Sequence, residues 1–174
     1  MPNISIVPNR SRVSRAYDFY NNTLWIGLGK TTPWTDEGNP PTPDPGVETI
    51  DEPIIYKKAT VVSFVVEDEL GELAVYRNNE LIHFSFISPT EAIDQNISSI
   101  FIEGQFLPAE VGDEVVYRQV GIFSHLTPAE GYESADILTP ANITDIGFLE
   151  WISYQEPVYI QPNQINTIQV IITF

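Results

Sequence analysis

The chain has 174 residues and 19.6 kDa, enough for one domain or two small ones, and its 43% hydrophobic and 11% aromatic content can build a core that a disordered composition could not. Its 24 acidic residues against 8 Lys and Arg leave a net charge of −16, which excludes the basic face that a nucleic-acid or anionic-membrane grip needs. The absence of cysteine excludes disulfides, thiol catalysis and Cys-ligated metals.

The first fifteen residues carry basic side chains but no apolar core behind them, so they do not read as a secretory signal. No stretch approaches the ~18 apolar residues of a membrane span. A soluble chain made in a cytoplasm is the expectation.

Ser11 to Asn22 predicts a short helix. Val13, Ala16, Tyr17 and Tyr20 fall at i, i+3, i+4 and i+7; Asn9 or Ser11 can cap its start and Asn21-Asn22 can end it. Thr23 to Lys30 reads as a strand entering a turn. Thr31 to Gly46 then holds five prolines, Pro33, Pro40, Pro41, Pro43 and Pro45. Proline fixes φ and removes the N–H that a ladder needs, so this segment is neither helix nor central strand. It reads as an ordered or partner-docked arm. Trp34 within it is either an anchor in a protein–protein interface or a cover for its own domain's core.

Strands dominate the rest. Thr60–Glu67 is an apolar, β-branched run. Leu73–Arg77 and Glu80–Ile87 flank Asn78-Asn79, a two-residue hairpin signal, and Ile82, Phe84 and Phe86 share one face. Ile97–Leu107 and Val115–Phe123 follow, joined by a turn through Pro108 and Gly112. His125 to Asp145 is loop-like. Phe148–Tyr154 is a further strand. Thr167–Phe174 alternates, with Ile168, Val170, Ile172 and Phe174 on one face, the pattern of a strand pinned in a sheet. The sum is a mainly β (α+β) fold: an antiparallel β-sandwich with a short N-terminal helix and an extended Pro-rich arm. The charge divides the chain similarly. Residues 1–58 are nearly neutral and form the helix, strand and arm; residues 59–174 carry Arg77 and Arg118 against seventeen acids and form an acidic β body. Together they are expected to make one compact domain.

The chemistry-bearing motifs are sparse. His83 lies in an apolar run and His125 begins a loop; there is no G-x-S-x-G and no H-E-x-x-H. Gly27-Leu28-Gly29-Lys30 lacks phosphate-loop spacing and reads instead as a strand that another backbone approaches. No calcium-loop pattern appears; Glu67-Asp68-Glu69 and Asp113-Glu114 read as turn residues. The sequons at Asn3, Asn21, Asn96 and Asn142 read as chance. The expectation is no enzyme, no catalytic residue, no metal and no cofactor.

Two segments carry a resemblance. Ala16-Tyr17-Asp18-Phe19-Tyr20-Asn21-Asn22, then Leu24-Trp25-Ile26-Gly27-Leu28-Gly29-Lys30, then Thr32-Pro33-Trp34, resemble the N-terminal signature of the baseplate wedge proteins of contractile-tailed bacteriophages, and in particular the T-even peripheral wedge protein. Gly147-Phe148-Leu149 to Glu156-Pro157, Pro162-Asn163-Gln164 and the closing strand Ile168–Phe174 are similar to the family's end. The position where the family has an Arg reads Tyr154-Gln155-Glu156 here, and the chain is shorter than the T-even protein. The resemblance covers about the first sixty and last thirty residues. It implies a structural component of a virion tail baseplate, assembled in the host cytoplasm, with other baseplate and tail proteins as partners and a homodimer as one arrangement. The arm supplies the interface candidates: Trp34, Pro33, Asp36, Pro40, Pro41 and Pro43, with Trp25 beside them. The acidic half would pair with basic patches. The alternative is a β-sandwich adhesin or carbohydrate-binding module of a tail fibre or cell surface, with Tyr132, Tyr154 and Tyr159 stacking on sugars. An acidic hydrolase is the third reading.

Overall fold

The computed structural model describes residues 6–77, 80–112 and 115–174. In chain order the elements are α1 (Asn9–Tyr20), β1 (Trp25–Gly29), β2 (Ile55–Lys58), β3 (Val61–Glu67), β4 (Leu73–Arg77), β5 (Glu80–Ile87) and α2 (Pro89–Gln95). There follow β6 (Ser99–Phe106), α3 (Pro108–Val111), β7 (Val116–Ser124), β8 (Thr127–Pro128), β9 (Ile137–Leu138), β10 (Ile143–Asp145), β11 (Phe148–Tyr159) and β12 (Asn166–Thr173). The chain is mainly β with a short N-terminal helix, and every pairing whose register is described is antiparallel. Two compact units are present: Met1–Asn21 with Val61–Ile102 and Gln169–Phe174, and Asn22–Thr60 with Glu103–Ile168.

The first unit is built on a five-stranded sheet in the order β12-β6-β3-β5-β4. β4 and β5 form the expected hairpin arms, with Leu73 opposite Phe84 and Val75 opposite Ile82. The Asn78-Asn79 turn between them lies outside the described residues. One sheet face gathers Val65, Leu73, Phe84 and Phe101 into a buried cluster. α1 contributes Val13, Ala16 and Phe19 to the interior. Tyr17, expected in that stripe, is exposed, and Phe19 takes its place. At 100° per residue the buried arc centres on Ala16, and Phe19 lies within it while Tyr17 falls at its margin. The Phe19 ring lies 5.2 Å from Phe174, and Tyr20 lies 5.3 Å from Phe64. The helix starts at Pro8 without a side-chain cap, so neither Asn9 nor Ser11 caps it; Asn21 ends it by donating its amide to the Tyr17 carbonyl at 2.8 Å. The C-terminal strand is fixed as expected: the Phe174 N–H donates to the Ser98 carbonyl at 3.2 Å, and the Ser98 hydroxyl donates to the Phe174 carbonyl at 3.0 Å.

α2 is absent from the sequence reading. Its signal is local: Ser88 caps the Glu91 N–H, Glu91 returns a carboxylate oxygen to the Ser88 N–H at 2.8 Å, and Pro89 opens the first turn.

The second unit holds a sheet in the order β11-β7-β1-β2-β9 and a small β10-β8 pair. Its core is Trp25, Ile50, Tyr56, Phe123, Leu126 and Leu138. β1 is buried along its whole length. Gly27 faces Gly121 across the β1–β7 ladder, and a Cβ on Gly27 would come within 2.9 Å of the Phe123 and Tyr56 rings. A Cβ on Gly29 would lie 2.5 Å from the Asp51 carbonyl. The Gly-Leu-Gly-Lys segment is therefore a strand approached by another backbone. β2 went unseen in the sequence because Ile-Tyr-Lys-Lys has two apolar residues and then two charges, too short for any period. The expected turn through Pro108 and Gly112 contains α3, a single helical turn ended by Gly112 at φ +102°. Asp113-Glu114 lie outside the described residues.

Candidate functional site

The proline-rich arm leaves β1 at Lys30 and returns at Asp51, with no helix or strand between. Its base is closed by the Lys30 N–H, which donates to the Asp51 carbonyl at 2.7 Å. Both Lys30 (φ +61°) and Glu52 (φ +43°) sit in the left-handed region, which reverses the chain sharply there. The Glu52 carboxylate then works as a hub. It accepts from the Thr31 N–H at 3.0 Å, the Thr32 N–H at 2.9 Å and both threonine hydroxyls at 2.5 Å, and it pairs with the Lys30 ammonium at 3.3 Å. These bonds, the Thr31 hydroxyl first, hold its carboxyl far below the usual carboxylate range. Gln119 braces the same corner, accepting from the Asp51 N–H at 2.6 Å and donating to the Asp51 carboxylate at 3.1 Å.

A second clamp grips the arm further out. Arg118 on β7 is only 4% exposed, yet its guanidinium reaches Glu37 in a bidentate pair, Nε at 2.8 Å and Nη2 at 2.6 Å, and donates Nη1 to the Thr31 carbonyl at 2.5 Å. The Arg118 bonds hold the Glu37 carboxyl below its ordinary value. Between the two clamps lies Trp34. Its Nε1–H donates to the Gln155 carbonyl at 3.0 Å, its ring lies 5.1 Å from Tyr154, and the Lys30 ammonium stands 5.4 Å over it. Burial, with the Asp51 and Asp44 carboxylates nearby, raises the Tyr154 phenol.

This geometry sorts the interface candidates. Pro33, Asp36 and Pro41 are exposed, Pro40 and Pro43 half-buried, and Trp34 half-buried as the arm's fastener. Trp25 is 2% exposed in the core of its unit, with the Lys58 ammonium over its ring, so it packs the interior and is not offered to a partner. Sequence reasoning missed Glu37, Glu52, Arg118 and Tyr154 as the residues that hold the arm. The one signal for Arg118 was its isolation, since it is one of two basic residues among the last 116.

The histidines are engaged structurally. His83 Nδ1 lies 3.0 Å from the Gly71 carbonyl. His125, at φ +58°, contacts the buried Ser124 hydroxyl at 2.9 Å, and that hydroxyl donates to Glu150. A serine nucleophile needs its proton directed to the histidine, with the carboxylate behind the histidine. Here the carboxylate takes the serine proton, so the order of the three groups differs from that arrangement. Tyr154 lies beneath Trp34, while Tyr132 and Tyr159 are exposed. Among the described residues no cluster of three or more His, Asp or Glu is arranged to hold a metal ion, and no helix is long and apolar enough to cross a membrane.

The second unit is thus a β-rich scaffold that fixes an irregular, proline-rich arm. A family model described as "Baseplate wedge 3 tail fiber network component" matches residues 4–174, and the chain belongs to that family. It is 30% identical over 163 residues to "Virion protein 3" of Enterococcus phage phiEF24C, covering 88% of this chain and 86% of that one. It is thus a structural protein of the phage virion, located in the tail baseplate, where its setting is other tail proteins.

Proposed function

We propose that this chain is a non-catalytic block that joins neighbouring baseplate proteins through the outer side of its proline-rich arm. The observation that carries the reading is the double clamp. Glu52 and the Arg118–Glu37 pair hold the arm at its base and middle, and Trp34 is fastened between them. Pro33, Asp36 and Pro41 are thereby offered in a fixed arrangement. A surface already ordered loses little conformational entropy on binding, which favours assembly. The acidic surface fits protein neighbours with basic patches and disfavours nucleic acid, and such charge sets register and partner choice more than affinity. A homodimer belongs to the same reading, and sedimentation of the purified protein measures it.

The test uses purified tails carrying a photo-crosslinker at Asp36 or Pro41. Both positions should crosslink to other baseplate proteins well above a control crosslinker at Glu130, which is exposed but off the arm. Equal yields at all three positions would remove the arm from the interface.

A further inference from the structure

We propose that the free edge of the first unit's sheet, strand β4, takes up an extended segment of another protein that carries Lys or Arg among apolar residues. The position in the sheet comes first. β4 ends the order β12-β6-β3-β5-β4, and among the described residues the backbone of Leu73–Arg77 bonds to β5 alone. An edge of this kind presents a row of N–H and C=O groups that pairs readily with an incoming strand.

Edges are usually blunted by Lys, Pro or a bulge. Leu73-Ala74-Val75-Tyr76 contains none of these, the one charged residue of the strand is Arg77 at its end, in register with Glu80, and the β4–β5 register runs from Leu73↔Phe84 to Arg77↔Glu80 without a break. The face beside the edge is apolar and open. Tyr76 is 77% exposed, directly opposite Leu81, which is 48% exposed, and Leu70 at the preceding turn is 94% exposed. Aromatic and aliphatic side chains in register on one face are what a docking strand packs against.

Charge decides the occupant. The turn into β4 and the strands beside it bring Glu67, Asp68, Glu69, Glu72 and Glu80 to this end of the unit. A cleft there is lined by Glu67, Asp68, Glu69, Leu81, Ile82 and His83. Its mixed wall suits a Lys or Arg side chain, with the aliphatic stem along Leu81 and Ile82 and the charged head at the carboxylates. Asp68 is held ready by the Leu70 N–H at 3.0 Å and the Ser85 hydroxyl at 2.6 Å. A second copy of this chain would bring the same acids against these, and like charges in opposition are repelled.

The experiment uses assembled tails with a photo-crosslinker at Tyr76, in the parent chain and in a Glu69→Lys/Glu72→Lys variant. The expected result is a crosslink to an identified tail-protein segment with Lys or Arg among apolar residues, reduced at least fivefold in the variant. Crosslinks from Asp36 on the arm should be unchanged, which separates this surface from the arm. Hydrogen exchange adds the strand readout: Leu73–Arg77 amides should be slower in the assembly than in the free protein. No crosslink, a crosslink to a second copy or to an acidic segment, or crosslinking without slowed exchange would each overturn the proposal. Circular dichroism of the free variant confirms that it is folded, and a variant that does not fold is replaced by Tyr76→Lys, read by slowed exchange alone.

Discussion

Replacing Trp34 by alanine should release the arm while leaving the sheets intact. Three contacts are removed: the ring against Tyr154, worth about 0.5–1.5 kcal/mol; the Nε1–H bond to the Gln155 carbonyl, also about 0.5–1.5 kcal/mol; and the Lys30 ammonium over the ring, about 0.5–1 kcal/mol. They share one side chain, so they overlap, and about 2–3 kcal/mol is the working loss. At about 1.4 kcal/mol per tenfold, arm opening becomes roughly 30- to 150-fold more frequent. Hydrogen exchange reads this directly at Asn39 and Val47, whose N–H groups bond within the arm to the Asp36 and Asp44 carbonyls. Trp34→Phe keeps the ring and loses the N–H bond, so its acceleration should be about tenfold at most. Amides in β7, such as Ile122, should exchange at the parent rate in both variants. Unchanged arm exchange in Trp34→Ala would refute the fastening role. Acceleration in β7 equal to that in the arm would do so as well, since Trp34 would then be part of the core.

Three further outcomes follow from the same packing. Gly29→Ala should cost about 3 kcal/mol by urea denaturation, because its Cβ meets the Asp51 backbone oxygen at 2.5 Å, whereas Gly38→Ala, whose Cβ meets only the Asp36 carboxylate at 3.7 Å, should stay within about 0.5 kcal/mol; equal midpoints would contradict the close approach. Glu52 and Glu37 titrate below the ordinary carboxylate value in the folded protein, so their contribution is complete above about pH 5 and fades as pH falls through their folded values. Exchange at Thr31 and Thr32, corrected for intrinsic rate, should therefore show constant protection from about pH 8 to 5 and a decline only below about pH 4; a decline between pH 7 and 5 would point to another group. Ser88→Ala removes the α2 capping box and should cost about 1 kcal/mol in thermal unfolding, with Ser88→Asp restoring most of it.

The strands that could be read in advance are those with a clear period or a β-branched run. Val61–Glu67 and the two arms around Asn78-Asn79 were legible because alternation and turn residues agreed. Phe148–Tyr159 was legible only in its first half, because Pro157 and the register shift between Tyr154 and Val158 break the ladder pattern beyond Tyr154. The arm was legible as an arm, since five prolines permit little else. What holds it was not. Glu37 and Arg118 are 81 residues apart, and Trp34 and Gln155 are 121 apart, so no local pattern could join them. Trp25 shows the complementary limit: an indole next to a glycine strand reads the same whether it faces a partner or the interior, and only the neighbouring Tyr56 and Phe123 settle it.

The way the arm begins and ends has an evolutionary consequence. The chain departs and returns at one backbone hydrogen bond, Lys30 to Asp51, and the residues beyond the Glu37 clamp form no helix or strand before Thr49 bonds the Tyr56 side chain and Ile50 re-enters the core. Lengthening such an excursion is cheap, about 0.6 kcal/mol for each doubling. The stretch from Gly38 to Glu48 is therefore an exchangeable cassette. A lineage can rewrite or extend it to follow a changing neighbour while Gly29, Glu52 and Arg118 keep the mount unaltered, so divergence should concentrate there and spare the mount.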